Sequence, residues 1–266
     1  MRHASVVAVG PARQYHCRGH PASKGAILTS PLILKLQCRD HLSDAERHVL
    51  EGAIARVVAV PADEDMVREG DCPGDSKVLL EGFAARYKLL ANGKRQITGL
   101  HIPGDFVDLH SFTLKRMDHG IVALSDCRIG VVPHEALHRI TEEQPHLTRL
   151  LWLNTTMDGA IHRQTIVVVG RQDARGKLAH LVCEMYLRLK IVAETDGYRF
   201  RLPVTQAEIG DMVGLSTVHV NRTLQDLRGE GLLSWERTAV EILDWERLCE
   251  AAQFNPDYLN LEFLPR

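Results

Sequence analysis

The chain has 266 residues, 45% apolar and 25% charged, with a formal net charge of −2. This is material for one large or two modest cores; it excludes a polybasic tail or a membrane-surface protein, so nucleic-acid contact must come from a local cluster. Apolar runs such as Ile129 to Pro133 and Ile166 to Val169 are far too short to cross about 30 Å of hydrocarbon, and six cysteines without a CxxC pair fit reduced thiols in a cytoplasmic protein.

Residues 1–30 hold Arg2, Arg13, Arg18 and Lys24 with no acid and no hydrophobic period, which predicts a disordered leader. From 31 to 144 a β-domain is expected. It opens with a short helix in Leu42 to Ala55, because Ser43 and Glu46 have capping-box spacing and Val49, Leu50 and Ile54 share a face. Strands follow at Arg56 to Val60, Lys77 to Leu80, Ala84 to Leu90, Gln96 to Ile102 and Arg128 to Val132. Asn92-Gly93 predicts a type I′ hairpin, Pro103-Gly104-Asp105 another turn, and Pro133 a short helix to about Thr141.

Residues 145–169 turn helical, with Leu147, Leu150, Asn154, Met157, Ile161 and Val168 near an a/d seam. The seam predicts a dimerisation helix, with Asn154 fixing register; the alternative is that it packs on the chain's own β-domain. Gly170-Arg171 breaks the period, and a second helix over Ala174 to Val192 opens a C-terminal domain spanning 170–250, followed by a tail at 251–266.

Thr205 to Ser216 predicts a capped helix that ends in a glycine turn, with Glu208 three residues after Thr205. A second helix begins at once. Ser216 caps it, Val220, Leu224 and Leu227 face inward, and Thr217, Val218, His219, Asn221, Arg222 and Gln225 stay outside. Gly210 lets the helices approach, Gly214 permits positive φ, and Ile209, Leu215 and Val220 lock the corner. Such a corner presents its second helix to a major groove. Leu232 to Leu243, turning at Glu236-Arg237, forms a wing hairpin, and Asp244 caps a last helix. One count runs against a phosphate binder: Phe200 to Asp244 has four bases and seven acids, a net of −3. A winged helix that binds protein and never DNA is the competing reading. Absence of GxSxG, HExxH and GxxxxGK sequences argues against an enzyme.

The run from Leu202 through Gly210 and Val220 to Leu224, with Glu69-Gly70-Asp71, Leu80-Glu81-Gly82 and Gly104-Asp105-Phe106 upstream, resembles the Crp/Fnr family of bacterial transcription regulators. The likeness covers about Pro31 to Trp245. It implies an α+β fold: a cyclic-nucleotide-binding-like β-roll, a long dimerisation helix and a C-terminal winged helix-turn-helix. It also implies a homodimer that reads a pseudo-palindromic operator in double-stranded DNA and works with RNA polymerase. Thr205, Ser216 and His219 fall where the family touches phosphates, and Arg222 where it often reads guanine, a contact worth about 1 to 3 kcal/mol of discrimination. Gln206, Thr217, Val218, Asn221 and Gln225 complete the expected DNA face, Val218 suiting a thymine methyl.

The family's cyclic-nucleotide binders carry a Gly-Glu pair and an Arg-Ser/Thr-Ala run where this chain has Val107 to His110 and Asp118 to Ile121. Cyclic AMP is therefore disfavoured, because its phosphate would lack a bidentate partner. Cys17 and Cys38 stand too far apart for the family's iron-sulfur cluster, and Cys72 reads as a bystander thiol. His101, His110, His119, His134 and His138 show no ligand-loop spacing, so surface or hydrogen-bonded histidines and no metal are expected. The effector stays unknown.

Overall fold

The computed structural model describes residues 30–266; the expected leader and Cys17 lie outside them. Helix α1 (Pro31–Gln37) comes first, started by Pro31 and unforeseen in sequence. Helix α2 (Asp44–Gly52) has the expected capping box of Ser43 and Glu46. Strands β1 (Arg56–Val60), β2 (Asp65–Val67), β3 (Asp75–Glu81), β4 (Ala84–Leu89) and β5 (Arg95–His101) follow. Helix α3 (Ser111–Leu114) separates them from β6 (Gly120–Ala123) and β7 (Cys127–Pro133).

Two antiparallel sheets form the roll, in the orders β1-β7-β3 and β2-β6-β4-β5. Val67, Leu79, Ala84, Ile121, Ala123 and Ile129 close a core between them. The β4–β5 hairpin is not type I′. Only Gly93 has positive φ, Gly93 N donates to Leu90 O and Leu90 N to Lys94 O, so a three-residue loop with glycine in the left-handed position replaces the tighter turn.

Helices α4 (His134–Glu143) and α5 (Pro145–Arg171) meet at Gln144. Residues of α1, α2, α4 and the first turns of α5 share a second core. Leu147 and Leu150, expected at the dimer seam, are fully enclosed there. Val168 is buried as well, and Ile161 packs on the C-terminal core. Leu147, Leu150 and Val168 thus pack within their own chain, the alternative the sequence left open for this stripe. Asn154 and Met157 remain half-buried.

Helix α6 (Ala174–Ile191), capped by Asp173, carries the C-terminal domain. There β8 (Thr195–Asp196) and β9 (Arg199–Arg201) extend the wing into a sheet of order β10-β11-β9-β8, with β10 (Leu233–Glu236) and β11 (Ala239–Ile242). Between them lie α7 (Gln206–Val213) and α8 (Thr217–Gly229), and α9 (Trp245–Ala252) starts at Asp244 as expected. The domain's core is continuous with Ala85, Ile97 and Leu100 of the β4–β5 hairpin, so the two domains share apolar packing. The last residues fold back: a 3₁₀ turn at Pro256–Leu259 buries Leu259, and Arg266 N donates to Asp40 Oδ2 at 2.7 Å. No helix among the described residues is long and apolar enough to cross a membrane.

Candidate nucleic-acid interface and sensor site

The helix-turn-helix is built by reciprocal capping. Thr205 N and Oγ1 both donate to Glu208 Oε2, at 2.6 and 2.9 Å, while Glu208 N donates to Thr205 Oγ1. Gly214 ends α7 at φ +69°, and its N–H and that of Leu215 both reach Gly210 O. A Cβ at Gly210 would stand 2.5 Å from Leu215 O, so glycine here sets how closely the corner closes. Ser216 caps α8 through His219 N, and Val220, Leu224 and Leu227 are buried beneath it.

The opposite face of α8 is open. Thr205, Ser216, Thr217, Val218, Arg222 and Gln225 are exposed, Val218 to 81%, while Gln206, His219 and Asn221 are half-buried. Asn221 Nδ2 donates to Gln206 Oε1 at 3.2 Å, tying the first helix to the second. Among the described residues no ion pair engages Arg222. From the last turn of α8, Arg228 donates to Trp235 O of the wing, where Arg237 turns the hairpin at φ +53°.

The acidic count resolves by position. Glu208 and Asp244 are spent on helix caps, and three further acids pair with arginines from outside the counted segment. Asp211 meets Arg95 at 2.9 Å, Glu230 meets Arg175 at 2.5 Å and Glu241 meets Arg199 at 2.9 Å. Few uncompensated acids remain to repel phosphate.

Arg95 and Gln96, on β5, also fasten the reading head to the roll. Gln96 Nε2 donates to Asp211 O and Met212 O, and Lys177 Nζ to Val213 O, so the C-terminal carbonyls of α7 end on donors from β5 and α6. A buried charge network lies behind. Asp105 takes Lys35 of α1 on one oxygen and Arg188 of α6 on the other at 3.0 Å. Arg188 also reaches Glu184 Oε1 at 3.1 Å and Leu100 O at 2.8 Å, and Tyr258 OH donates to Glu184 Oε2 at 2.6 Å. Burial alone would raise the Asp105 carboxyl, but Lys35, His101 and Arg188 outweigh it and hold it well below the usual range. Sequence reading placed Asp105 in a turn and missed the network, whose signal was the Glu184/Arg188 pair at i,i+4 on a helix buried all round.

In the roll, Asp108 is fully buried and its carboxylate accepts from Lys77 N at 2.6 Å and Nζ at 3.1 Å. His110, Asp118 and His119 come together in the roll, and His119 Nδ1 lies 2.8 Å from Asp118 Oδ1. Arg86 stands nearby, but Asp158 at 2.8 Å and His162 of α5 hold its guanidinium. The residues of this stretch do not offer a cyclic nucleotide an arginine cradle. Burial, with Arg86 next, pushes both His110 and His119 down to about 4, leaving neutral imidazoles. The expectation of satisfied histidines fails here: the Nε2 atoms of His101, His110 and His119 are buried without a partner among the described residues.

A reading head set on a β-roll by one long helix defines a class, the two-domain DNA-binding regulator, and comparison with known proteins places the chain within it. The Cyclic nucleotide-binding domain matches residues 57–144 and the Crp-like helix-turn-helix domain matches 176–251. The transcriptional activator protein Anr of Pseudomonas aeruginosa is 25% identical over 94% of this chain and 97% of its own length. The nitrogen fixation regulation protein FixK of Bradyrhizobium diazoefficiens is 29% identical over 92% and 96%. The solved structure of FixK2 from Bradyrhizobium japonicum shares the fold, with a TM-score of 0.68 at 24% identity, covering 74% of this chain and 96% of that one. The chain belongs to the Crp/Fnr family of DNA-binding transcription regulators, which are not enzymes.

Proposed function

We propose that two copies of this chain pair through α5 and read a pseudo-palindromic operator, each presenting α8 to one major groove, with half-sites about 34 Å apart. The observation that carries this reading is the open face of α8, on which Arg222 stands exposed and unpaired among the described residues. Arg222 forks onto a guanine, Val218 lies against a thymine methyl, and Thr205, Ser216 and His219 hold phosphates beside helix N-termini.

The pairing seam is the outer stripe of α5: Trp152, Thr156, Gly159, Arg163, Ile166 and Gly170 recur at alternating spacings of four and three. Trp152 is 73% and Ile166 71% exposed, large apolar surface without cover from the described residues. Asn154 and Met157, half-buried, lie on the other face of the helix. The bound dimer engages RNA polymerase from DNA, and its β-roll senses a signal other than cyclic AMP. Gel-shift titration with randomised duplexes tests the reading: a two-fold symmetric preference and a steep loss of affinity with salt are expected. If Arg222→Ala leaves both affinity and base preference unchanged, α8 is not the reading helix.

A further inference from the structure

The structure assigns a binding site for a divalent first-row transition metal to His110, Asp118 and His119, inside the β-roll. One nitrogen from each histidine and one oxygen from Asp118 lie within 4.8 Å of one another, and the two rings stand 4.7 Å apart between centroids. Both Nε2 atoms are buried and have no hydrogen-bond partner among the described residues. A buried ring nitrogen without a partner is costly, and two such imidazoles gathered beside one carboxylate suit a shared electrophile.

The chemistry of the donors narrows that electrophile. Neutral imidazole nitrogens with one carboxylate suit zinc, cobalt, nickel or iron(II), and not magnesium or calcium, which take oxygen. Asp118 Oδ1 lies 2.8 Å from His119 Nδ1, so the carboxylate and that ring already stand side by side. Three protein ligands leave a coordination position open to water or a small donor molecule.

The surroundings hold these groups in place. Asp118 O accepts from Lys88, whose ammonium also pairs with Glu69 at 2.6 Å. His110 O accepts from Leu114 N at 2.8 Å in the first turn of α3, and His119 directly precedes β6. Arg86, whose charge also reaches both histidines, is already offset by Asp158 of α5. Through Arg86 the site also touches the helix that joins the two domains; a regulatory use of the metal rests on the β-roll being the sensor, whereas binding itself does not.

The nine-residue separation of the histidines hid the site from sequence patterns, since only the turn through α3 brings them together. The test uses the full-length chain, stripped with chelator and titrated with cobalt(II) in the absence of DNA, read by the visible absorbance of ligated cobalt and by zinc(II) calorimetry. One equivalent per chain is expected, displaced from cobalt by zinc. His110→Gln and His119→Gln each abolish the absorbance, and Asp118→Asn weakens binding about 10–100-fold. His48→Gln, an exposed histidine on α2, changes nothing. Thermal melting of the metal-free variants shows that they fold. Failure of the wild-type chain to bind one equivalent, or retention of it by both histidine variants, overturns the site. Neither result bears on operator recognition, which the gel-shift measures separately.

Discussion

Single residues set the tolerances of both sites. At Gly210 the neighbour that a methyl group would meet is the backbone carbonyl of Leu215, which cannot move without opening the corner. Gly210→Ala should cost about 1 to 3 kcal/mol in urea unfolding and weaken operator binding beyond that of Arg222→Ala, because it displaces the whole of α8. In the roll, His110 and His119 are held neutral at values near 4, below the ordinary imidazole value. The unfolded chain therefore binds more protons between about pH 6.5 and 4, so stability is complete above that window and falls as pH drops through it. Each histidine adds up to about 1.4 kcal/mol per pH unit to the slope. Unfolding titrations of His110→Gln against the wild type between pH 7 and 4 should show a shallower decline in the variant.

At the scale of elements, α5 is the informative case, because it carries two stripes at coiled-coil spacing on opposite faces. Leu147, Leu150, Ile161 and Val168 fill the chain's own cores, and Trp152, Thr156, Ile166 and Gly170 face outward. Trp152→Glu with Ile166→Glu should yield folded monomers by light scattering with unchanged melting of each chain, whereas Leu150→Glu should unfold the protein by burying an unpaired charge. Periodicity alone identified the helix but chose the inward stripe, since the more apolar of two seams is the one a chain covers itself. Elements with local punctuation were legible: the capping boxes at Ser43 and Thr205, the glycine turn at Gly214 and the cap at Asp244 all lie where their chemistry predicts. β2 and β6 were not. One is three residues long and the other is buried along its whole length, so neither shows the alternation that marks a half-exposed strand. The DNA face was legible because it is contiguous in sequence, and the histidine site was not, because tertiary pairing creates it.

For the whole molecule, the question is what holds the reading head on the roll. Two ion pairs across the boundary differ in exposure. Arg95 and Asp211 are each about a third exposed, so solvent screens them, and Arg95→Ala should cost only about 0.2 to 1 kcal/mol. Arg188 is enclosed between Asp105 of the roll and Glu184 of its own helix, and removing it leaves two buried carboxylates with fewer partners. Arg188→Ala should therefore cost about 3 to 5 kcal/mol. The Asp105 carboxyl is depressed in the folded chain, so its contribution is present above the ordinary carboxylate range and vanishes as pH falls through the lower folded value. Acid unfolding should consequently begin at higher pH in Arg188→Ala than in the wild type. Trp235 and Trp245 lie in the C-terminal domain and Trp152 on α5, so in a Trp152→Phe background the fluorescence in urea reports that domain's release. In Arg188→Ala it should precede the loss of circular dichroism, and in the wild type the two should coincide. If Arg188→Ala costs no more than Arg95→Ala and both probes still move together, shared apolar packing through Ala85, Ile97 and Leu100 joins the domains, and the charge network does not.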